Sequence, residues 1–273
     1  MRTVVFDAVN LPAILYGTAW KEDETRRLVS LALARGFRGI DTANQAKHYH
    51  EAQVGEALAE AFAQGLSRDE VFLQTKFTFQ GGQDHRLPYD PKARIAEQVR
   101  QSFARSLEHL QTQWLDSYLL HGPSQRSGLG ADDWEAWRAM ESLPARALGI
   151  SNVSLQQLQE LLEGARVKPA FVQNRCYASR GWDADVRAFC LKHGIVYQGF
   201  SLLTANADAV SGSAIRQAAL RVRRTPQQVV FRFAMQVGML PLTGTTDPRH
   251  MEADLAVEAF TLTDAEVEAI ERG

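Results

Sequence analysis

Cysteine is scarce in this chain, with Cys176 and Cys190 the only two among 273 residues. Two thiols make no disulfide framework, and their spacing does not fit a zinc-binding pair; they read as reduced, buried small hydrophobes in a cytoplasmic setting. Long apolar runs are missing as well. No stretch approaches the ~18 apolar residues that a membrane span requires, and the N-terminal MRTVVFDAVNLPAILYG lacks a basic region followed by an apolar segment. A soluble, untargeted chain is expected. Neither sign of charge dominates, since 30 Lys and Arg stand against 32 Asp and Glu and the basic residues are dispersed. Nucleic acid and anionic membranes are therefore not expected partners. A glycine-rich G-x-G-x-x-G after the first apolar run is also lacking, which argues against a Rossmann dinucleotide site.

Alternation is what the chain does have. Short runs rich in Val, Ile, Leu and Phe predict strands at Leu15–Thr18, Phe37–Thr42, Val71–Phe77, Leu115–His121, Ala145–Ser151, Ala170–Asn174, Val196–Ser201 and Leu240–Thr243. Segments such as ARIAEQVRQSFARSLEHL and SLQQLQELLEGA lie between them, with apolar residues recurring at the helical period. Asp247 ahead of Pro248, and Thr263 with Glu266, supply capping signals for the last two helices. Eight strands with eight crossovers favour one closed (β/α)8 TIM barrel over residues 1–273, with an extra C-terminal helix. The alternating TVVFDAVNLPAIL predicts an N-terminal β-hairpin across the barrel bottom.

In such a barrel the chemistry lies at the C-terminal strand ends. Asp41, Lys76, His121, Ser151, Asn152, Gln173, Phe200 and Ser201 fall there. An Asp beside a buried Lys stabilises the ammonium, which in turn is expected to lower the pKa of a nearby tyrosine and make it a general acid. A neutral histidine can hydrogen-bond a carbonyl oxygen and support the charge that develops there. Such a site reduces carbonyls, and the hydride must come from a nicotinamide in the same mouth. Ser151, Asn152 and Gln173 suit a carboxamide, and Phe200 offers a flat face for stacking.

The motifs GTAWK, GFRGIDTA, VGEAL, LQTKF, LDSYLLHGP, ALGISN, KPAFVQN, QGFSLL, TPQQVVFRFAMQVG and PLTGTTDPRHM occur in that order over most of the chain. With them the sequence resembles the aldo-keto reductase family. The resemblance implies NAD(P)H-dependent reduction of aldehydes or ketones, with Asp41, Lys76 and His121 as three members of the family's catalytic tetrad. It further implies NADP, with NAD possible, held by Gly17, Thr18, Ser151, Asn152, Gln173, Phe200, Ser201, Leu203, Thr243, Gly244, Thr245, Arg249, His250 and Asp254. Trp20, His48 and Trp182 are the expected substrate-pocket residues. Phe200 stands where the family usually stacks a tyrosine, and Leu242 where it commonly has the lysine that meets the 2′-phosphate. Arg249 or His250 is the candidate replacement charge, and the Thr243–Thr246 amides a phosphate cradle. Gly122 after His121, and the lack of a long segment after the last helix, predict a wide substrate site. A small-molecule carbonyl is the expected partner; oligomeric state is not readable. The alternative function is a non-catalytic, regulatory nucleotide-binding barrel.

The loop IDTANQAKHYHEAQVG, residues 40–55, is two residues longer than the family's usual form. Tyr49 is its only tyrosine and the expected acid, with His48 and His50 as competing donors. The histidines' spacing does not fit a metal pair on a helix, and no metal is expected.

Overall fold

The computed structural model describes residues 11–273. Strands β1 (Leu15–Gly17), β2 (Gly39–Asp41), β3 (Phe72–Phe77), β4 (Ser117–Leu120), β5 (Leu148–Ser151), β6 (Phe171–Arg175), β7 (Val196–Phe200) and β8 (Met239–Thr243) close in chain order into an all-parallel barrel. Helices α1 (Thr25–Arg35), α2 (Glu51–Ala63), α3 (Ile95–His109), α4 (Ala131–Met140), α5 (Leu155–Gly164), α6 (Ala184–Lys192), the single-turn α7 (Ala207–Val210), α8 (Ser213–Val222), α9 (Pro226–Gln236), α10 (Pro248–Leu255) and α11 (Asp264–Arg272) follow. All eight expected strands are present, and most are shorter than the apolar runs suggest. His121 and Ser201 lie just past β4 and β7 as loop residues, although the His121 amide still donates to the Phe77 carbonyl of β3 at 2.8 Å. The predicted N-terminal hairpin lies mostly outside the described residues. No described helix is long and apolar enough to cross a membrane.

Local chemistry ends the helices as their sequences suggest. Asp247 accepts from the Arg249 amide at the start of α10, and Thr263 with Glu266 forms a capping box on α11. Such caps contribute about 1 kcal/mol each. Where α2 crosses α3, only a residue without a side chain fits: a Cβ on Gly55 would lie 1.9 Å from the His109 carbonyl oxygen. This contact seats α2, whose first turn follows the loop carrying Tyr49.

Alternate strand residues point inward, which stacks the barrel interior in layers. Leu15, Phe72, Phe171, Leu240 and Leu242 pack as one apolar cluster in the lower part. Buried apolar side chains of this size contribute about 1.5–3 kcal/mol each. Two residues further along the same strands the character changes: Gln74 follows Phe72, Gln173 follows Phe171, and Gln198 follows Val196. Register pairs Asp41 with Gln74 and Gln173 with Gln198, so these side chains share a level beneath the mouth. The larger apolar cluster, with Trp137, Trp182 and Phe231, fills the space between barrel and helices.

Candidate active site

Asp41, Lys76, Tyr49 and His121 arrive from β2, β3, the β2–α2 loop and the end of β4. Lys76 is fully buried and donates to Asp41 Oδ1 at 2.7 Å, Asp41 Oδ2 at 2.8 Å and the Thr42 carbonyl at 2.8 Å. An ammonium has three N–H donors, and all are used. Burial holds the Lys76 pKa below that of a free lysine despite Asp41. The Lys76 Nζ lies 5.5 Å from the Tyr49 ring centroid, and the His121 ring meets Tyr49 edge-on at 6.0 Å. Tyr49 thus sits between the cation and the imidazole. Burial, and secondarily the Asp41 charge, raise its pKa. The lowered phenol pKa expected from the sequence is therefore corrected: with its donors turned to Asp41 and Thr42, Lys76 does not offset desolvation.

Burial and then the Lys76 charge push His121 down to about 3, so the ring is neutral over the physiological range. Its Nδ1 meets Thr78 Oγ1 at 2.7 Å, which leaves Nε2 for a ligand. The flanking histidines are placed differently. His48 stacks on Trp20 with ring centroids 3.9 Å apart, and its Nδ1 meets Gln45 Oε1 at 2.9 Å. His50 occupies the position before α2 and is not in the cavity wall.

A cavity of about 1830 Å³ opens over these groups and runs across the C-terminal strand ends, bounded by Trp20, Tyr49, His121, Phe200 and Asp254 among others. Three of its residues, Trp20 (φ 60°), Asn152 (φ 52°) and Ser201 (φ 57°), adopt left-handed backbone just past β1, β5 and β7. Non-glycine residues in this conformation commonly cost about 1 kcal/mol or more and cluster at functional sites.

The Aldo/keto reductase family model matches residues 13–272. The chain belongs to this family. Its members are oxidoreductases, generally NAD(P)H-dependent, acting on small-molecule carbonyls. An aldo-keto reductase from Mycolicibacterium vanbaalenii is 30% identical over 98% of this chain and 91% of its own. Deoxymugineic acid synthase 1-D of Triticum aestivum is 32% identical over 95% of this chain and 86% of its own. A Bombyx mori aldo-keto reductase solved with NADP superposes with a TM-score of 0.83 at 24% identity, covering 99% of this chain and 91% of that one, which shows the shared fold.

A nicotinamide cofactor, as aldo-keto reductases bind, can be tested against the donor set on the cavity wall. The Ser151 hydroxyl donates to the Gln173 carbonyl at 2.7 Å. Asn152 Nδ2 donates to the His121 carbonyl at 2.9 Å and to Ser151 Oγ at 3.0 Å. Gln173 Nε2 donates to Asp41 Oδ1 at 3.0 Å and Gln198 Oε1 at 2.8 Å. Every side-chain N–H and O–H of the three is thus turned inward, leaving carbonyl and hydroxyl lone pairs to meet a ligand that donates. The N–H₂ of a carboxamide is such a group, and the ring of Phe200 beside it suits a flat heterocycle. The residues fit.

Gly17, Ser201, Leu203, Thr243, Gly244, Thr245, His250 and Asp254 also line the cavity. Two expected cofactor residues are not in its wall. Thr18 is buried beneath, with its hydroxyl on the Asp41 carbonyl at 3.0 Å, and the exposed Arg249 pairs with Asp247 at 2.8 Å. Thr243 donates to Asp254 at 2.7 Å, and burial pushes this carboxyl up to about 6. Trp182 is a clear correction. Its indole is fully buried, packs on Phe233 at 5.1 Å and donates to the Ile270 carbonyl at 3.0 Å, so it docks α11 and touches no substrate space. A loop position at the catalytic end suggested the pocket, but positive φ at Gly181, Trp182 and Asp183 turns the ring toward the helices.

Sequence reasoning passed over Gln74, Gln198 and Thr78. A signal existed for the first two: Gln74 has the strand parity of Lys76, and Gln198 that of Phe200.

Proposed function

We propose that this chain is an NAD(P)H-dependent carbonyl reductase in which Tyr49 is the general acid. The observation that supports it most is the phenol held between Lys76 and His121 in a cavity whose wall suits a carboxamide. A bound nicotinamide would supply the hydride, with Ser151, Asn152 and Gln173 holding its amide and Phe200 stacking on its ring. Neutral His121, accepting from Thr78 at Nδ1, presents Nε2–H to the substrate oxygen and orients the carbonyl. Tyr49 keeps its proton at neutral pH, because burial raises its pKa, and gives it up only to an oxygen that has become alkoxide-like. Lys76 then stabilises the phenolate through its field, while Asp41 keeps the lysine charged. Trp20 and His48 form the substrate-side wall. NADP is the proposed cofactor, on the resemblance; Leu242 and the Asp247-paired Arg249 favour tolerance of NAD as well.

The non-catalytic alternative has no observation in its favour, since a binder needs no convergent Asp41, Tyr49, Lys76 and His121. The test is consumption of NADPH and NADH with a panel of aldehydes and ketones, comparing wild type with Tyr49→Phe and His48→Gln. Tyr49→Phe is expected to lose at least ~100-fold in kcat with cofactor affinity retained. Wild-type turnover by Tyr49→Phe would assign the acid elsewhere.

A further inference from the structure

The geometry points to Gln198, with Gln74, as a positioning residue that fixes the amide of Gln173 with its oxygen toward the cavity, so that the site selects a cofactor ring bearing an N–H donor. The inference rests on the reading that a nicotinamide occupies this mouth. Gln74 and Gln198 are fully buried and outside the cavity wall, so they act only through other residues.

The polarity of the glutamine layer starts at Asp41. As a carboxylate paired with Lys76, it only accepts. Its Oδ1 receives Gln74 Nε2 at 2.7 Å and Gln173 Nε2 at 3.0 Å, so both amides turn their nitrogen toward it. Their second N–H groups converge on Gln198 Oε1, each at 2.8 Å. Gln198 Nε2 donates back to Gln74 Oε1 at 2.9 Å and closes the ring. Reversing Gln198 would set its N–H₂ against two others, and reversing Gln173 would set a carbonyl against both Asp41 and Gln198 Oε1. Low dielectric makes such mismatches costly. The layer therefore has one consistent orientation, in which Gln173 meets the cavity as an acceptor. Without Gln198, Gln173 keeps only the Asp41 contact and can rotate.

The test compares a cofactor carrying the carboxamide with its 3-acetylpyridine analogue, which keeps the carbonyl and lacks the N–H. Affinities of both for wild type, Gln198→Met and Gln74→Met are measured by calorimetry, alongside melting temperatures. Wild type is expected to bind the carboxamide form about tenfold tighter, one to two hydrogen bonds' worth. In Gln198→Met the ratio is expected to fall to about twofold or less. A merely structural role would weaken both ligands alike, and an unchanged ratio in a folded variant overturns the inference, as does a wild type without preference. Absence of binding by either dinucleotide overturns the nicotinamide reading itself, whereas binding with an unchanged ratio overturns only the role of Gln198. Should neither variant fold, exchange of the Gln173 side-chain N–H₂ with solvent in wild type decides, slow exchange supporting the inward orientation and fast exchange refuting it.

Discussion

Replacing Lys76 by methionine removes the ammonium and keeps most of the stem's volume. Asp41, 3% exposed, then retains only the neutral amide donors of Gln74 and Gln173. Breaking a buried ion pair by removing one partner costs about 3–5 kcal/mol. Because two donors at about 1 kcal/mol each survive on the carboxylate, a loss of about 3 kcal/mol is expected. Asp41→Asn leaves the ammonium buried without its counter-charge, with only the neutral amide oxygen of the new side chain and the Thr42 carbonyl as acceptors, and should lose a similar amount. The double variant buries no charge and should lose at most about 2 kcal/mol, far below the sum. Urea unfolding at pH 7, followed by circular dichroism with a check for constant m-value, gives the cycle. Additive losses, or a Lys76→Met deficit under about 1 kcal/mol at pH 7, would refute this account of the pair.

Other consequences follow from titration and packing. His121 has a folded pKa of about 3 against about 6.5 unfolded, so its neutral form favours the fold fully above pH ~6.5 and the contribution is lost as pH falls toward 3. Urea midpoints should decline over that range more steeply in wild type than in His121→Asn, and parallel profiles would remove His121 as the cause. Asp254 has the opposite sign: its folded pKa of about 6 lies above the unfolded value, so the stability it contributes below pH ~3.9 is lost as pH rises through 6. Asp254→Asn, which can still accept from Thr243, is expected to gain about 2 kcal/mol relative to wild type at pH 8 and nothing at pH 3; equal effects at both pH values would count against it. Gly55→Ala drives a methyl into the His109 carbonyl and should cost about 2–3 kcal/mol; a melting temperature equal to wild type would show that α2 and α3 separate freely.

The strand count, the closed barrel and the family were legible because they rest on local signals: short apolar runs, helical periodicity, caps and motif order. That Asp41, Lys76, His121, Ser151, Asn152 and Gln173 gather toward one mouth was legible for the same reason, each standing in the C-terminal part of its strand or just past it. Tyr49 was harder, since the longer loop shifts it off the family's count and only its seat against His121 and over Lys76 separates it from His48 and His50. Trp182 was misplaced because a loop residue's direction depends on backbone torsions that sequence position does not carry.

By itself, then, the sequence determined which residues sit on which element and which end of the barrel carries the chemistry, since both follow from periodicity and chain direction. Only the tertiary structure decided what those residues do to one another. Whether Lys76 reaches Asp41 or the phenol, and which way the Gln173 amide faces, depends on donors and acceptors from four strands, β2, β3, β6 and β7, meeting in one buried layer. Hydrogen-bond polarity there is set by contacts up to 132 residues apart along the chain, and no local pattern encodes them.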